Sequence, residues 1–167
     1  NICYRSGAET NDLICVSGDL GAAFLGLQVL EREKEIYEKD QSIQPDLSGF
    51  DYVLERQLKP EARKDVIEWL RKEKIKAHAM IDISDGLSSD LIHICKSSGK
   101  GCNIYHDKIP IHKETKAAAQ EFNMEPLITA LHGGEDYELL FTIPMSEFDK
   151  VSGANNIHII GNITKEG

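Results

Sequence analysis

Short apolar runs of strand length alternate along the whole chain with amphipathic segments of helix length, and glycine or proline marks most of the joints. "DLICVS" at residues 12 to 17 has strand length, and "GDLGAAFLGLQVLERE" after it sets Leu20, Phe24, Leu27 and Leu30 on roughly one helical face. Residues 32 to 48 are polar and carry Pro45, which predicts a solvated helix end and a surface loop. "FDYVLERQLKPEARKDVIEWLRKEK" predicts two helical segments broken at Pro60, the second with Val66, Ile67, Leu70 and a core Trp69 on its apolar side. A strand at about 77 to 83 leads into a helix in "SSDLIHICKSSG" that stops near Gly99. "GCNIYHDKIPI" predicts a strand, "KETKAAAQEFN" a helix, "YELLFTIP" a strand from near Tyr137, "MSEFDKV" a short helix and "IHIIGNI" a last strand. With no internal repeat and no low-complexity tract, the expectation is an α/β chain bordering on α+β. A mixed β-sheet flanked by helices, in one domain over residues 1–167, is the predicted architecture.

Composition limits what such a chain does. A length of 167 residues with 41% hydrophobic and 28% charged residues suffices for one domain with a real core. The formal charge of −9 lacks the basic footprint of a nucleic-acid binder. Acidity leaves anionic substrates open, because carboxylates hold phosphate through bridging Mg²⁺. The apolar runs, such as 139–141 and 157–160, are too short or interrupted to span a bilayer, and no signal-peptide pattern opens the chain. Cys3, Cys15, Cys95 and Cys102 have no CxxC spacing, so they predict neither a zinc site nor a redox motif but reduced thiols in the cytoplasm. A start without methionine and a finish just after a strand-like run suggest a piece of a longer protein.

The chemistry concentrates in "AMIDISDGLSSDL", residues 79 to 91, where three carboxylates and three hydroxyls crowd a strand-to-helix junction. Alternation in the strand puts Asp82 and Ser84 on one face, away from Ala79, Ile81 and Ile83. Converging carboxylates repel one another unless a hard cation neutralises them, and Mg²⁺ with phosphate is the natural occupant. Ser84 or Asp85 also fits a simple helix N-cap, although a cap leaves Asp82 unexplained inside an apolar strand. A second cluster, "HGGEDYELLF" at 132 to 141, places two glycines before Glu135 and Asp136. Gly18 and Gly21, between a strand and a helix, fit either an anion-binding loop or a tight turn. Neither a nucleophile elbow nor a Walker A pattern is present, so no covalent nucleophile is expected.

In order and separation, "YRSGAETNDLICVSGDLGAAFLGL", "LKPEAR", "MIDISDGLSSDLIHICKSSGKGCNI" and "HGGEDYELLFTIP" resemble the thiamine-monophosphate kinase family. That family belongs to the aminoimidazole ribonucleotide synthetase-like ATP-binding enzymes. The resemblance covers nearly the whole chain. It implies transfer of the γ-phosphoryl group of ATP to thiamine monophosphate, giving thiamine diphosphate in thiamine biosynthesis with several Mg²⁺ ions. Arg5 and Ser84 match ATP contacts, Asp82 and Asp85 match Mg²⁺ ligands, and Glu135 matches a contact to the thiamine substrate. Asp90, Asp136 and Arg63 lie in matching segments without a firm role, a cap or supporting role being expected.

The resemblance further implies a C-terminal domain whose N-terminal ATP- and Mg-binding partner domain is absent, a homodimer for the full-length protein, and no activity for this piece alone. "SGDLG" stands where "TGxLG" is usual and "LKPEAR" where "RPxPR" is common. Aminoimidazole ribonucleotide synthetase, selenophosphate synthetase and a non-catalytic nucleotide-binding module are the alternatives, and "GGEDYELLF" favours the thiamine kinase.

Overall fold

The computed structural model describes residues 2–165. Five strands, β1 (Leu13–Ser17), β2 (Ala79–Asp82), β3 (Gly101–Ile104), β4 (Leu139–Ile143) and β5 (Ile157–Thr164), form one sheet in the order β2-β4-β1-β5-β3. Seven α-helices accompany them: α1 (Ala22–Lys39), α2 (Asp51–Leu58), α3 (Lys64–Lys72), α4 (Leu87–Ser98), α5 (Lys113–Glu121), α6 (Pro126–His132) and α7 (Phe148–Ser152). The α/β layering with flanking helices agrees with expectation, but the mixed sheet does not. All four strand pairings are antiparallel. Apolar periodicity identifies a strand and is silent on its direction, which is set here by long-range pairing.

Helices cover both faces of the sheet, so the central strand β1 is buried at all five positions and reads as a continuous apolar run. Ile14, Val16, Leu140 and Ile160 pack on one side with Leu87, Leu91 and Ile94 of α4 and Ala130 of α6. Leu13, Cys15, Phe141 and Ile143 pack on the other with Val66 and Leu70 of α3 and Val151 of α7. Each such fully buried side chain contributes about 1.5–3 kcal/mol of transfer free energy. Trp69 lies only partly buried against this second cluster. A third cluster joins α1, α2 and α5 through Leu25, Val29, Val53, Leu54 and Ala118.

The register brings several chain ends to one rim of the sheet. Asp82 pairs with Leu139, Val16 with Leu140, and Ser17 with Ile157. The ends of β1 and β2 therefore lie beside the starts of β4 and β5, and segments far apart in sequence meet there. Four local expectations change. The strand expected across "GCNIYHDKIPI" stops at Ile104 and gives way to a short 3-10 turn at His106–Lys108. The helix α6 went unforeseen, and Tyr137 and Glu138 lie outside β4. Glu135 and Tyr137 both adopt left-handed backbone, φ 62° and 52°, which an extended strand cannot contain. Asp82 closes β2 as an exposed residue rather than a buried charge within it.

Candidate active site

Residues 83 to 85 form the turn from β2 into α4, and residues 133 to 138 form the approach to β4. Backbone hydrogen bonds join the two: Ile83 N–H donates to Glu138 O at 2.8 Å, Tyr137 N–H to Ile83 O at 2.9 Å, and Glu135 N–H to Ser84 O at 2.9 Å. Glycine makes this approach possible. A Cβ on Gly134, whose φ is 70°, would stand 2.6 Å from Ser84 O. Asp82 at the end of β2 is thus held beside Ser84, Asp85 and Glu135 on the two adjoining loops, with Asp82, Asp85 and Glu135 exposed.

The helix cap expected from Ser84 or Asp85 runs the other way. Gly86, at φ 103°, occupies the N-cap position of α4 and no side chain caps there. Asp90, in the first turn of α4 and 1% exposed, reaches back so that its Oδ2 accepts Ser84 N–H and Asp85 N–H, each at 3.1 Å. Burial raises the Asp90 pKa, the two N–H groups oppose that shift, and the charges of Asp85 and Asp82 add to it.

The glycine-flanked start of α1 is filled by the protein itself. Asp136 Oδ2 accepts Gly21 N–H at 2.8 Å and its Oδ1 accepts Ala23 N–H at 3.3 Å, so a buried carboxylate from the second loop occupies the helix N-terminus. Desolvation nevertheless pushes the Asp136 pKa up to about 7, against the pull of those N–H groups.

Glu138 anchors the second loop from behind and was not singled out in the sequence. Its side chain is 1% exposed and is gripped by Arg56 at 2.9 Å, by Arg63 and by the Ser17 hydroxyl. Ser17 Oγ in turn accepts Leu139 N–H at 2.8 Å. Arg63 also bonds Asp65 through Nε and Nη2 at 3.0 and 2.9 Å, which ties the α2–α3 connection to the rim. The expected supporting roles of Asp90, Asp136 and Arg63 thus take physical form as two backbone caps and an ion pair. In sequence, the glutamate of "EDYEL" resembles any strand-entry charge, so only the arginines delivered by α2 and its connection reveal Glu138.

Arg5 lies outside this hydrogen-bonded set. Its neighbour Tyr4 accepts Met80 N–H at 2.9 Å along the open edge of β2, and Ser98 Oγ accepts Gly7 and Ala8 N–H at 3.2 and 3.1 Å. Arg5 is therefore carried on a fixed segment beside the strand that ends in Asp82, exposed and, among the described residues, without an ion pair. His132 ends α6 as an exposed residue. A mostly apolar pocket of about 330 Å³, whose lining includes Phe24, Met124, Glu125, Ile128 and His132, adjoins the start of the Glu135 loop.

Among the described residues no three His, Cys, Asp or Glu side chains converge to hold a metal ion by themselves. Asp82 and Asp85, two exposed carboxylates three residues apart, suit a hard cation such as Mg²⁺, which commonly takes one or two carboxylates and completes its shell with water and substrate phosphates. The four cysteines are free thiols, and no described helix is long and apolar enough to cross a membrane.

The antiparallel sheet with helices on both faces, and an acidic strand-to-helix turn stitched to a glycine–acid loop, define an α/β domain with a polar site on one sheet rim. The chain belongs to the family of AIR synthase related proteins, C-terminal domain, which it matches over residues 9–167. It is 35% identical over 166 residues to the thiamine-monophosphate kinase of Aquifex aeolicus, covering 94% of this chain and 50% of that protein. Against the thiamine-monophosphate kinase of a Buchnera aphidicola strain from Acyrthosiphon pisum it is 42% identical over 147 residues, covering 88% of this chain and 42% of the relative. The solved structure of AaThiL complexed with AMPPCP and TMP superposes with a TM-score of 0.80 at 32% identity, over 99% of this chain and 48% of that one. The chain spans about half the length of the relatives it matches.

Proposed function

We propose that this chain is the C-terminal domain of a thiamine-monophosphate kinase and supplies one wall of its active site. The observation that carries the reading is the stitching of the Asp82–Asp85 turn to the Glu135 loop, in a chain 35% identical to a kinase of that name. The reaction moves the γ-phosphoryl group of ATP onto a phosphate oxygen of thiamine monophosphate and releases ADP. Because both partners are anions, charge neutralisation and in-line positioning dominate the barrier.

Asp82 and Asp85 are the proposed Mg²⁺ ligands, with phosphate oxygens and water filling the remaining positions. Mg²⁺, when bound, neutralises the facing phosphates. Ser84 presents its hydroxyl to the nucleotide, and Arg5 offers its planar fork to phosphate oxygens. Glu135 faces the thiamine substrate, where a carboxylate suits its cationic and amino-bearing rings. The apolar pocket beside the Glu135 loop favours a ring-bearing acceptor at that position. No side chain serves as a covalent nucleophile.

The remaining ligands come from an N-terminal domain outside this chain, and the whole enzyme works in the cytoplasm as a homodimer. An assay of thiamine diphosphate formation with ATP and Mg²⁺ tests this on the chain and on the full-length protein. Activity in the full-length protein alone supports the reading. Activity in the isolated chain contradicts the split site, and inactivity of both moves the assignment elsewhere in the superfamily.

A further inference from the structure

Asp90 is an expensive choice for what it visibly does. Its carboxylate is 1% exposed, yet among the described residues no Lys, Arg or His pairs with it. A buried carboxylate without a counter-ion costs free energy that two backbone N–H bonds offset only in part. Asparagine or serine would present an acceptor oxygen to the same turn at lower cost. Holding the turn accordingly accounts for the acceptor and leaves the charge unexplained.

The neighbours supply the reason. Asp90 binds the N–H groups of Ser84 and Asp85 at 3.1 Å each, so its charge sits directly behind the residues that present Asp82 and Asp85 to solvent. We infer that Asp90 is a positioning residue for a divalent cation held by Asp82 and Asp85, fixing the turn through its two hydrogen bonds and deepening the negative potential at the cation. A cation held by Asp82 and Asp85 would offset the buried charge of Asp90 behind the turn. This inference rests on the reading of Asp82 and Asp85 as cation ligands.

The test measures Mn²⁺ binding by electron paramagnetic resonance in the full-length protein with AMPPCP present, alongside urea unfolding without metal. Asp90→Asn keeps an acceptor oxygen in place and removes only the charge. Loss of a residue that supports metal ligands commonly weakens affinity 10- to 100-fold, and Asp90→Asn is expected to weaken Mn²⁺ binding about 10-fold with no loss of metal-free stability. A purely structural Asp90 predicts unchanged Mn²⁺ affinity, and that result overturns the inference. Asp82→Asn separates the two layers. If it weakens Mn²⁺ binding while Asp90→Asn does not, only the role of Asp90 falls; if neither variant changes the affinity, the cation site falls with it.

Discussion

The backbone N–H of Glu135 donates to the carbonyl oxygen of Ser84 at 2.9 Å, so two motifs fifty-one residues apart in sequence form one surface. Ser84 lies between the two candidate cation ligands, and Glu135 is the candidate contact to the acceptor. The contact fixes the spacing between them. Gly134 is the weak point of this arrangement, because any side chain there meets Ser84 O at 2.6 Å and must also adopt φ 70°. Gly134→Ala is expected to destabilise the protein by about 1–3 kcal/mol through left-handed strain and crowding. If the full-length protein is a thiamine-monophosphate kinase, the change also raises its KM for thiamine monophosphate, which steady-state kinetics beside a circular-dichroism melt will read.

Asp82 and Asp85 are exposed and make no structural ion pair among the described residues. Changing either to Asn therefore leaves the melting transition nearly in place. If they hold Mg²⁺, the same changes lower turnover of the full-length enzyme by roughly 100-fold, since a bound cation supplies several kcal/mol of charge stabilisation. Excess Mg²⁺ recovers part of the loss. A fall in melting temperature matching the fall in rate would instead mark the pair as structural.

Glu138 has the opposite profile. Its carboxylate ion-pairs with both Arg56 and Arg63, whose side chains are 21% and 13% exposed. Glu138→Gln leaves two guanidinium groups crowded around a neutral amide. Breaking a buried pair in this way costs about 3–5 kcal/mol, and the residual solvent contact of the arginines places the expected loss near the bottom of that range. Urea unfolding measures it directly.

Asp136 makes stability depend on pH. Its pKa rises from the ordinary carboxylate range to about 7 in the fold because it is desolvated. The neutral form is favoured in the native state, so its stabilising contribution is fully present below the unfolded pKa and is lost as pH rises through about 7. Urea midpoints of the wild type should therefore decline between about pH 4 and pH 7. Asp136→Asn should flatten that decline, and an unchanged slope would show that another group is responsible.

Much of this was legible in the sequence. The breaks at Pro60 and Gly99 appear where expected, between α2 and α3 and at the end of α4, and β1 is a buried apolar run. The crowding of acids and hydroxyls at residues 82 to 85 was visible in the sequence, and the structure places it at the exposed turn from β2 into α4. What stayed hidden depends on long-range pairing. Strand direction follows from which strands meet, and β1 meets β4 and β5 across more than a hundred residues. The left-handed backbone at Glu135 and Tyr137 has no composition signature, so the strand was expected to start too early. Glu138 gains its meaning from Arg56 and Arg63, and Asp136 from the start of α1. Neither partner is adjacent in sequence.

The most direct measurement is thiamine diphosphate formation from ATP and thiamine monophosphate by the full-length protein, with wild type beside Asp82→Asn at fixed Mg²⁺. The account predicts product from the wild type and a rate roughly 100-fold lower from the variant, with the fold intact. Equal rates from both proteins, or no product from the wild type, would contradict it.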